Sequence, residues 1–312
     1  MKTIGFVIAT KDRPADLRRM LRSIATQTHR PDLVIIVDSS NTPVSFVAEE
    51  FRELLRVQYI HRLPPSAAAQ RNAGIDAIPA DVELIAFVDD DATLEPSALE
   101  AMLAFWADAP SELGGAAFNM VNHPAQSLSR LKQWSMVSAL GLYGARPGQV
   151  TRSGWQTMTG FVAQNISVDW LPSGAVVWRS EIVRACRFDE FFNGYSYLED
   201  LEHSYRIGQH WRLAVVADAH YHHIPSPIRH VDHYGFGKIE VRNRVHFVVR
   251  HGLSYRKCWL GLLVRSAMTF CQAASHLDRG ALSRMLGNCS EMAIEAKTLL
   301  MGNRIRQKSE LS

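Results

Sequence analysis

The chain has 312 residues, 47% hydrophobic and 21% charged, proportions that exclude a disordered tail, a collagen-like repeat and a small disulfide scaffold. A formal net charge of +3 excludes a strongly basic body built to grip nucleic acid. The charge is unevenly placed: residues 240–312 hold twelve Lys/Arg against five Asp/Glu, which leaves the first 239 residues mildly acidic.

Thr3 to Ala9 is a short β-rich apolar run that leads into the polar segment Thr10 to Pro14. Leu17, Met20, Leu21 and Ile24 then recur at helical spacing. Leu33 to Val37 predicts a second strand, ended by the turn formers Asp38, Ser39, Ser40 and Asn41. A helix is expected over Phe46–Leu55, a strand over Val57–Ile60 and an Ala-rich helix over Ala67–Ile78. A fourth strand, Leu84–Val88, runs into Asp89-Asp90-Asp91. Continuous apolar runs separated by helices predict an α/β fold with a mainly parallel sheet covered on both faces. Such sheets bind ligands beyond the carboxyl ends of their strands, which here carry Thr10, Asp38 and Asp89 to Asp91.

Short apolar pieces continue from Gly114 to Trp134, and Arg146 to Gln164, rich in Gly, Thr and Ser, reads as loop. Val168 to Trp178 predicts a strand or two around a turn at Pro172-Ser173-Gly174. A helix is expected over Leu198–Ile207, a strand over Arg212–Ala217, and helix from Pro227 onward. Four widely spaced cysteines without a CxxC pair argue against structural zinc or disulfides and for a reducing compartment. The N-terminus lacks a secretory apolar region. The apolar stretch Cys258–Phe270, broken by Arg265, falls short of the roughly 20 residues a bilayer requires. These features predict a cytoplasmic protein without a spanning helix.

Three acidic or histidine clusters offer chemistry. If the chain stays extended after Val88, Asp89 and Asp91 share a face and Asp90 turns aside. Neighbouring carboxylates repel unless a cation sits between them, and hard oxygen donors suit Mg²⁺ or Mn²⁺ completed by a diphosphate. The triplet reads equally as a solvated acidic turn or a helix cap. Glu199-Asp200, at a helix start, reads as a cap or dipole partner, or as a general base, which must reach a substrate hydroxyl. Position decides between these readings. His220, His222 and His223 close the run LAVVADAHYHH; imidazole binds Mn²⁺ and similar ions, and a single histidine at a strand end also simply faces water.

Taken in order, FVIATKDRPADLRRMLRSIATQT, LVIIVDSS, AAAQRNAGIDA, LIAFVDDDATLEP, LPSGAVVWRSEIV, FDEFF, LEDLEHSYRIG and the histidine segment resemble family 2 glycosyltransferases over residues 3–250. The resemblance implies an α/β GT-A fold with a C-terminal helical extension. It places a catalytic domain at 1–239, with a nucleotide-binding half about 1–110 and an acceptor half about 111–239, and a basic helical extension at 240–312. It implies an inverting transfer from a nucleoside-diphosphate sugar to a hydroxyl of a glycan or lipid-linked acceptor, as in polysaccharide and cell-envelope biosynthesis.

The family's roles fall on individual residues. Thr10, Arg13, Asp38, Arg71, Asn72, Asp89 and Asp90 would hold the nucleotide sugar. Asp91, with His223 and Asp89, would hold a divalent cation, Mg or Mn, and His222 is the alternative ligand. Asp200 would be the catalytic base, with Glu199 beside it. Two departures stand out: Ser39 follows Asp38 where many members carry a second acid, and Arg206–Trp211 is a residue shorter than usual.

Two other classes compete with this reading. A Mg-dependent nucleotidyltransferase would show a Gly-rich phosphate loop after the first strand, and ATKDRP is not one. A non-catalytic nucleotide-sugar-binding protein would not need Glu199-Asp200. In the tail, Arg242, Arg244, Arg250, Arg256, Lys257 and Arg265 stand among Val, Phe, Leu and Trp259. They suit helices lying peripherally on the anionic inner face of a membrane, or a cap packed on the catalytic domain with its arginines in water.

Overall fold

The computed structural model describes residues 2–123, 141–142, 144–194, 196–224 and 232–309. Its first half alternates β1 (Ile4–Thr10), α1 (Pro14–Ala25), β2 (Leu33–Asp38), α2 (Ser45–Glu49), β3 (Val57–His61), α3 (Ala67–Ala77) and β4 (Leu84–Val88). Then come β5 (Ala92–Leu94), α4 (Ala98–Ala107), β6 (Leu113–Met120), β7 (Ile166–Val168), β8 (Ala175–Arg179), α5 (Ser180–Ala185), α6 (Glu199–Gly208) and β9 (Arg212–His223). Three long helices follow: α7 (His233–Arg250), α8 (Tyr255–His276) and α9 (Arg279–Ser309).

The strands form one sheet in the order β3-β2-β1-β4-β8-β6-β9-β5, with β7 on β9. β1 lies parallel to β2 and β4, and β2 to β3. The registers Thr10↔Asp38 and Asp38↔His61 bring these polar residues to one level at the carboxyl ends. Beyond β4 the sheet is mixed: β8 runs antiparallel to β4 and β6, while β6 and β9 are parallel.

Side chains alternate across the sheet, so each apolar run feeds two layers. Phe6, Ile8, Val34 and Ile36 pack with α1, α2 and α4 through Met20, Val47 and Trp106. Val7, Ile35, Val37 and Phe87 pack on the other face with Ile75, Trp178 and Val183. This double burial is why the strands read as continuous apolar runs in the sequence. α1 starts with Pro14 in its first turn, where a missing N–H costs nothing, and buries Leu17, Met20, Leu21 and Ile24.

The expected elements differ in three places. The helix anticipated over Phe46–Leu55 ends at Glu49 and continues as turns, with Phe51 and Leu55 buried and Phe46 and Leu54 exposed. The strand expected to stop at Ala217 runs on to His223, because its end pairs with β5 (Ala92↔His223, Leu94↔Tyr221). The chain also turns at Asp89–Ala92, with Ala92 N–H donating to Asp89 O at 3.1 Å, rather than staying extended. Of the apolar pieces expected to Trp134, β6 is observed, and those from residue 124 on lie outside the described residues.

Two compact units divide the chain: residues 1–133, 144–150 and 156–227, and residues 134–143, 151–155 and 228–312. The first holds the sheet. The second holds α7, α8 and α9, and the 239/240 boundary expected from the sequence falls inside α7. Within it, α7 and α9 cross so closely that a Cβ on Gly237 would lie 2.1 Å from Arg284 O, and one on Gly287 2.1 Å from Tyr234 O. Glu240 is buried at this crossing and accepts from Arg284 at 2.6 and 2.9 Å, Arg265 at 3.2 Å and Asn288 at 3.2 Å. Burial would raise its carboxyl, but these partners hold it below the usual carboxylate range. Arg244, also buried, stacks 4.2 Å over the Trp155 ring and donates to Gly154 O. All four cysteines are free thiols. Among the described residues no helix is long and apolar enough to cross a membrane.

Candidate active site

Beyond the carboxyl end of β4 the Asp89–Ala92 turn sends the three acids of the triplet in different directions. Asp90 is buried, accepting from Thr10 Oγ1 at 2.7 Å and from Arg13 Nη1 at 3.1 Å. Burial pushes its carboxyl up to about 7 against those two donors. Asp91 shares the same Arg13 nitrogen at 3.2 Å and lies 3.3 Å from His223 Nε2. Burial alone would raise Asp91, but His223 and Arg13 overcome it and hold the carboxyl low; the Asp91 contact in turn raises His223. Asp89, the most exposed of the three, accepts from Arg71 Nη2 at 2.9 Å. Asp89 and Asp91 therefore serve different partners, because the turn breaks the alternation an extended segment would impose.

β9 supplies the histidines by its extension. Its alternation puts His223 beside Asp91, whereas His220 Nδ1 and His222 Nε2 each lie 3.1 Å from an oxygen of Glu95. Of the two histidines considered as metal ligands, His223 is the one brought to the triplet. Among the described residues no group of three or more His, Cys, Asp or Glu is arranged to hold a metal. What the rim offers is a pair, the Asp91 carboxylate and the His223 imidazole, whose hard oxygen and borderline nitrogen suit Mg²⁺ or Mn²⁺ if other oxygens complete the shell.

α3 joins this rim to the second acidic pair. Arg71, almost wholly buried, reaches Asp89 with one guanidinium nitrogen and Glu199 Oε1 with the other at 2.7 Å. The adjacent Asn72 donates at 3.0 Å to Phe188 O and Glu190 and accepts from Phe188 N–H at 3.0 Å, fixing the segment before α6. Phe188 stacks on buried His203 of α6 with centroids 3.9 Å apart. Arg71 and Asn72 thus organise the site from behind. A groove of about 410 Å³ lined by Arg62, Asn72, Arg187, Phe188 and Glu190 opens beside them.

The backbone entering α6 is held in left-handed conformations at Ser196 (φ 54°) and Leu198 (φ 74°). For residues with a Cβ this costs about 1–2 kcal/mol each and persists where the surroundings over-determine it. It aims the first turn of α6, with Glu199 buried and Asp200 partly exposed, at the rim. Burial raises Glu199, with the charge of Asp200 adding to it and Arg71 opposing. Burial likewise raises Asp200, against the N–H of Leu201 at 2.7 Å and the charge of Arg71.

Asp38 is wholly buried, and its oxygens accept from Ser40 N–H and Val44 N–H at 2.8 and 2.9 Å and from the Ser40 and Tyr59 hydroxyls. It shapes the loop after β2. Gln70, which no charge or ligand chemistry singles out within AAAQRNAGIDA, donates to Thr10 O at 2.9 Å and Val37 O at 2.8 Å, locking the ends of β1 and β2 together. Tyr59 is the other residue missed. It sits in a partly buried strand position that reads as ordinary packing.

A sheet of this order with an acidic rim after its fourth strand, closed by a basic-residue bridge to a carboxylate-bearing helix, has the GT-A architecture. Residues 6–153 match the glycosyl transferase family 2 model, the family the ordered motifs resemble. Over 116 residues the chain is 33% identical to the succinoglycan biosynthesis protein ExoW of Rhizobium meliloti (strain 1021), covering 34% of this chain and 36% of that protein. The crystal structure of S. aureus TarS superposes with a TM-score of 0.51 at 17% identity, over 78% of this chain and 39% of that one. TarS 1–349 in complex with UDP gives 0.50 at 17% identity, over 79% and 65%. These structural likenesses are likenesses of fold, and this chain spans well under two thirds of the length of ExoW and of TarS.

Proposed function

We propose that the protein transfers a sugar from a nucleoside-diphosphate sugar to a hydroxyl of a glycan or lipid-linked acceptor, by a single inverting displacement. One observation carries the reading: a cation-type pair, Asp91–His223, and a base-type pair, Glu199–Asp200, stand on one rim, with Arg71 tied to Asp89 and Glu199. The UDP complex of TarS supports a nucleoside-diphosphate donor by analogy of fold, and the name of ExoW supports a glycan product.

The donor's nucleoside lies against the Thr10–Arg13 turn and the loop that Asp38 fixes. Arg13, partly exposed beside Asp90 and Asp91, presents positive charge toward the diphosphate. Asp91 and His223 would hold Mg²⁺ or Mn²⁺, which when bound would supply positive charge against the leaving diphosphate. Asp200 accepts the proton of the acceptor hydroxyl as that oxygen attacks the anomeric carbon from the face opposite the leaving group. Its raised affinity for a proton suits a general base. Glu199, pinned by Arg71, orients the turn that presents Asp200.

A donor screen tests the proposal. The purified protein with Mn²⁺ is incubated with a panel of nucleotide sugars, and thermal shift and slow donor hydrolysis are measured. At least one donor is expected to raise the melting temperature and be hydrolysed; no response across the panel overturns the reading.

A further inference from the structure

The solvent-facing side of α8 carries a stripe that the transferase reading leaves unused. Arg256, Leu260, Leu263, Ala267, Phe270 and Cys271 recur at three- and four-residue spacing and all are exposed, which places them on one face of the helix. Leu263 is 55% exposed and Phe270 52%. A helix face turned to water ordinarily carries charge, and an apolar one marks a surface that something covers.

The surrounding charge identifies what covers it. From Val241 to Leu277 the chain has six Lys/Arg and no Asp or Glu. Three of the six are engaged elsewhere: Arg244 is buried on Trp155, Arg265 is bonded to Glu240, and half-buried Arg242 donates to Asn243 Oδ1 at 3.2 Å. Exposed Arg256 heads the stripe and half-buried Lys257 follows it. A second copy of this stripe would offer those cations no carboxylate. A bilayer with anionic headgroups offers phosphate to the cations and acyl chains to the leucines and Phe270. α8 is not long and apolar enough to cross a membrane, so a lipid surface would meet it lengthwise.

We infer that α8 is an interfacial helix that docks the protein on an anionic lipid surface, with Leu260, Leu263 and Phe270 below the headgroups and Arg256 and Lys257 among them. The inference goes beyond the transferase reading, and its test reads binding rather than turnover, so the two fail independently.

The full-length protein is sedimented with vesicles of phosphatidylcholine alone and mixed with phosphatidylglycerol, across a salt series. Binding is expected only to the mixed vesicles, weakening as salt shortens the screening length below about 8 Å. Leu263→Glu with Phe270→Glu is expected to lower the binding constant about a hundredfold, because burying each apolar side chain is worth about tenfold or more. Arg256→Gln lowers it about fivefold. Circular dichroism and the melting temperature should not change, since these side chains are exposed. A polarity-sensitive fluorophore on Cys271, with Cys186 and Cys289 replaced by Ser, should shift to the blue on adding mixed vesicles; this readout does not depend on the folding of the double variant. Absence of sedimentation, equal sedimentation of the double variant, or no blue shift overturns the inference. So does a concentration-dependent dimer abolished by the same pair of substitutions, which would assign the face to a second copy.

Discussion

Arg71 Nη1 lies 2.7 Å from Glu199 Oε1, an ion pair between residues 128 positions apart and largely shielded from water. With its other nitrogen on Asp89, one guanidinium ties the acidic triplet to the acidic helix start. Two parallel donors in a rigid fork suit this task, and a lysine ammonium would reach only one side.

Removing that fork leaves Glu199 buried without its counter-charge. Arg71→Ala is expected to destabilise the protein by about 3–5 kcal/mol, the usual cost of breaking a buried pair from one side. Arg71→Lys should recover part of the loss. Urea unfolding of the two variants checks this, and wild-type stability for Arg71→Ala would show that the bridge contributes nothing.

Asp200→Asn separates catalysis from capping. As the base it acts in the transition state, so kcat should fall about 10²- to 10⁴-fold while the affinity for UDP stays within about twofold. Asn caps a helix nearly as well as Asp, so stability should hold. Glu199→Gln is the neighbouring control; a larger fall in kcat there would move the base to Glu199.

Chelation probes the Asp91–His223 pair. EDTA should abolish transfer and Mg²⁺ or Mn²⁺ restore it, while Asp91→Asn should need far more metal for the same rate. Full activity in chelator would remove the cation from the mechanism.

The helical unit carries its own pH dependence at Glu240. Its folded-state affinity for a proton is below the ordinary value of 4.5, so on acidification the unfolded chain takes up the proton first. The stabilisation is therefore complete above about pH 4.5 and is lost as pH falls through the folded value. Glu240→Gln should be less stable than wild type near pH 7, with the difference shrinking toward about pH 3. A difference that stays constant over that range would show that Glu240 titrates alike in both states.

The α7–α9 crossing depends on the absence of a side chain at Gly237. Gly237→Ala places a methyl against Arg284 O, a backbone atom that moves only if the helices part. Overpacking of this kind costs about 1–3 kcal/mol, more than the roughly 1 kcal/mol that Ala gains over Gly in a helix. Thermal unfolding is expected to shift down; an unchanged or raised transition would mean that the helices separate freely.

Local composition alone marks the strands and the first and third helices of the first half, and the edge at which their polar residues gather. Runs such as IGFVIAT and LVIIVD are buried on both faces, and that local composition announces a covered sheet. Their polar ends, Thr10 and Asp38, had to emerge at one edge because parallel strands share a direction. What the polar residues do at that edge depends on contacts made far along the chain. Asp38 and Asn72 spend their hydrogen-bonding capacity within the protein, on Ser40, Val44 and Tyr59 and on Phe188 and Glu190 respectively. The triplet's division between Arg13 and Arg71 follows from a turn at Asp89–Ala92, set by the pairing of β5 with β9 far along the chain. The choice of His223 over His222 has the same origin, since the register of that pairing alone fixes which imidazole faces Asp91. Periodicity reports the burial of a segment, whereas partnership between side chains 80 or 128 positions apart depends on the register of distant strands and on the path of the loops between them.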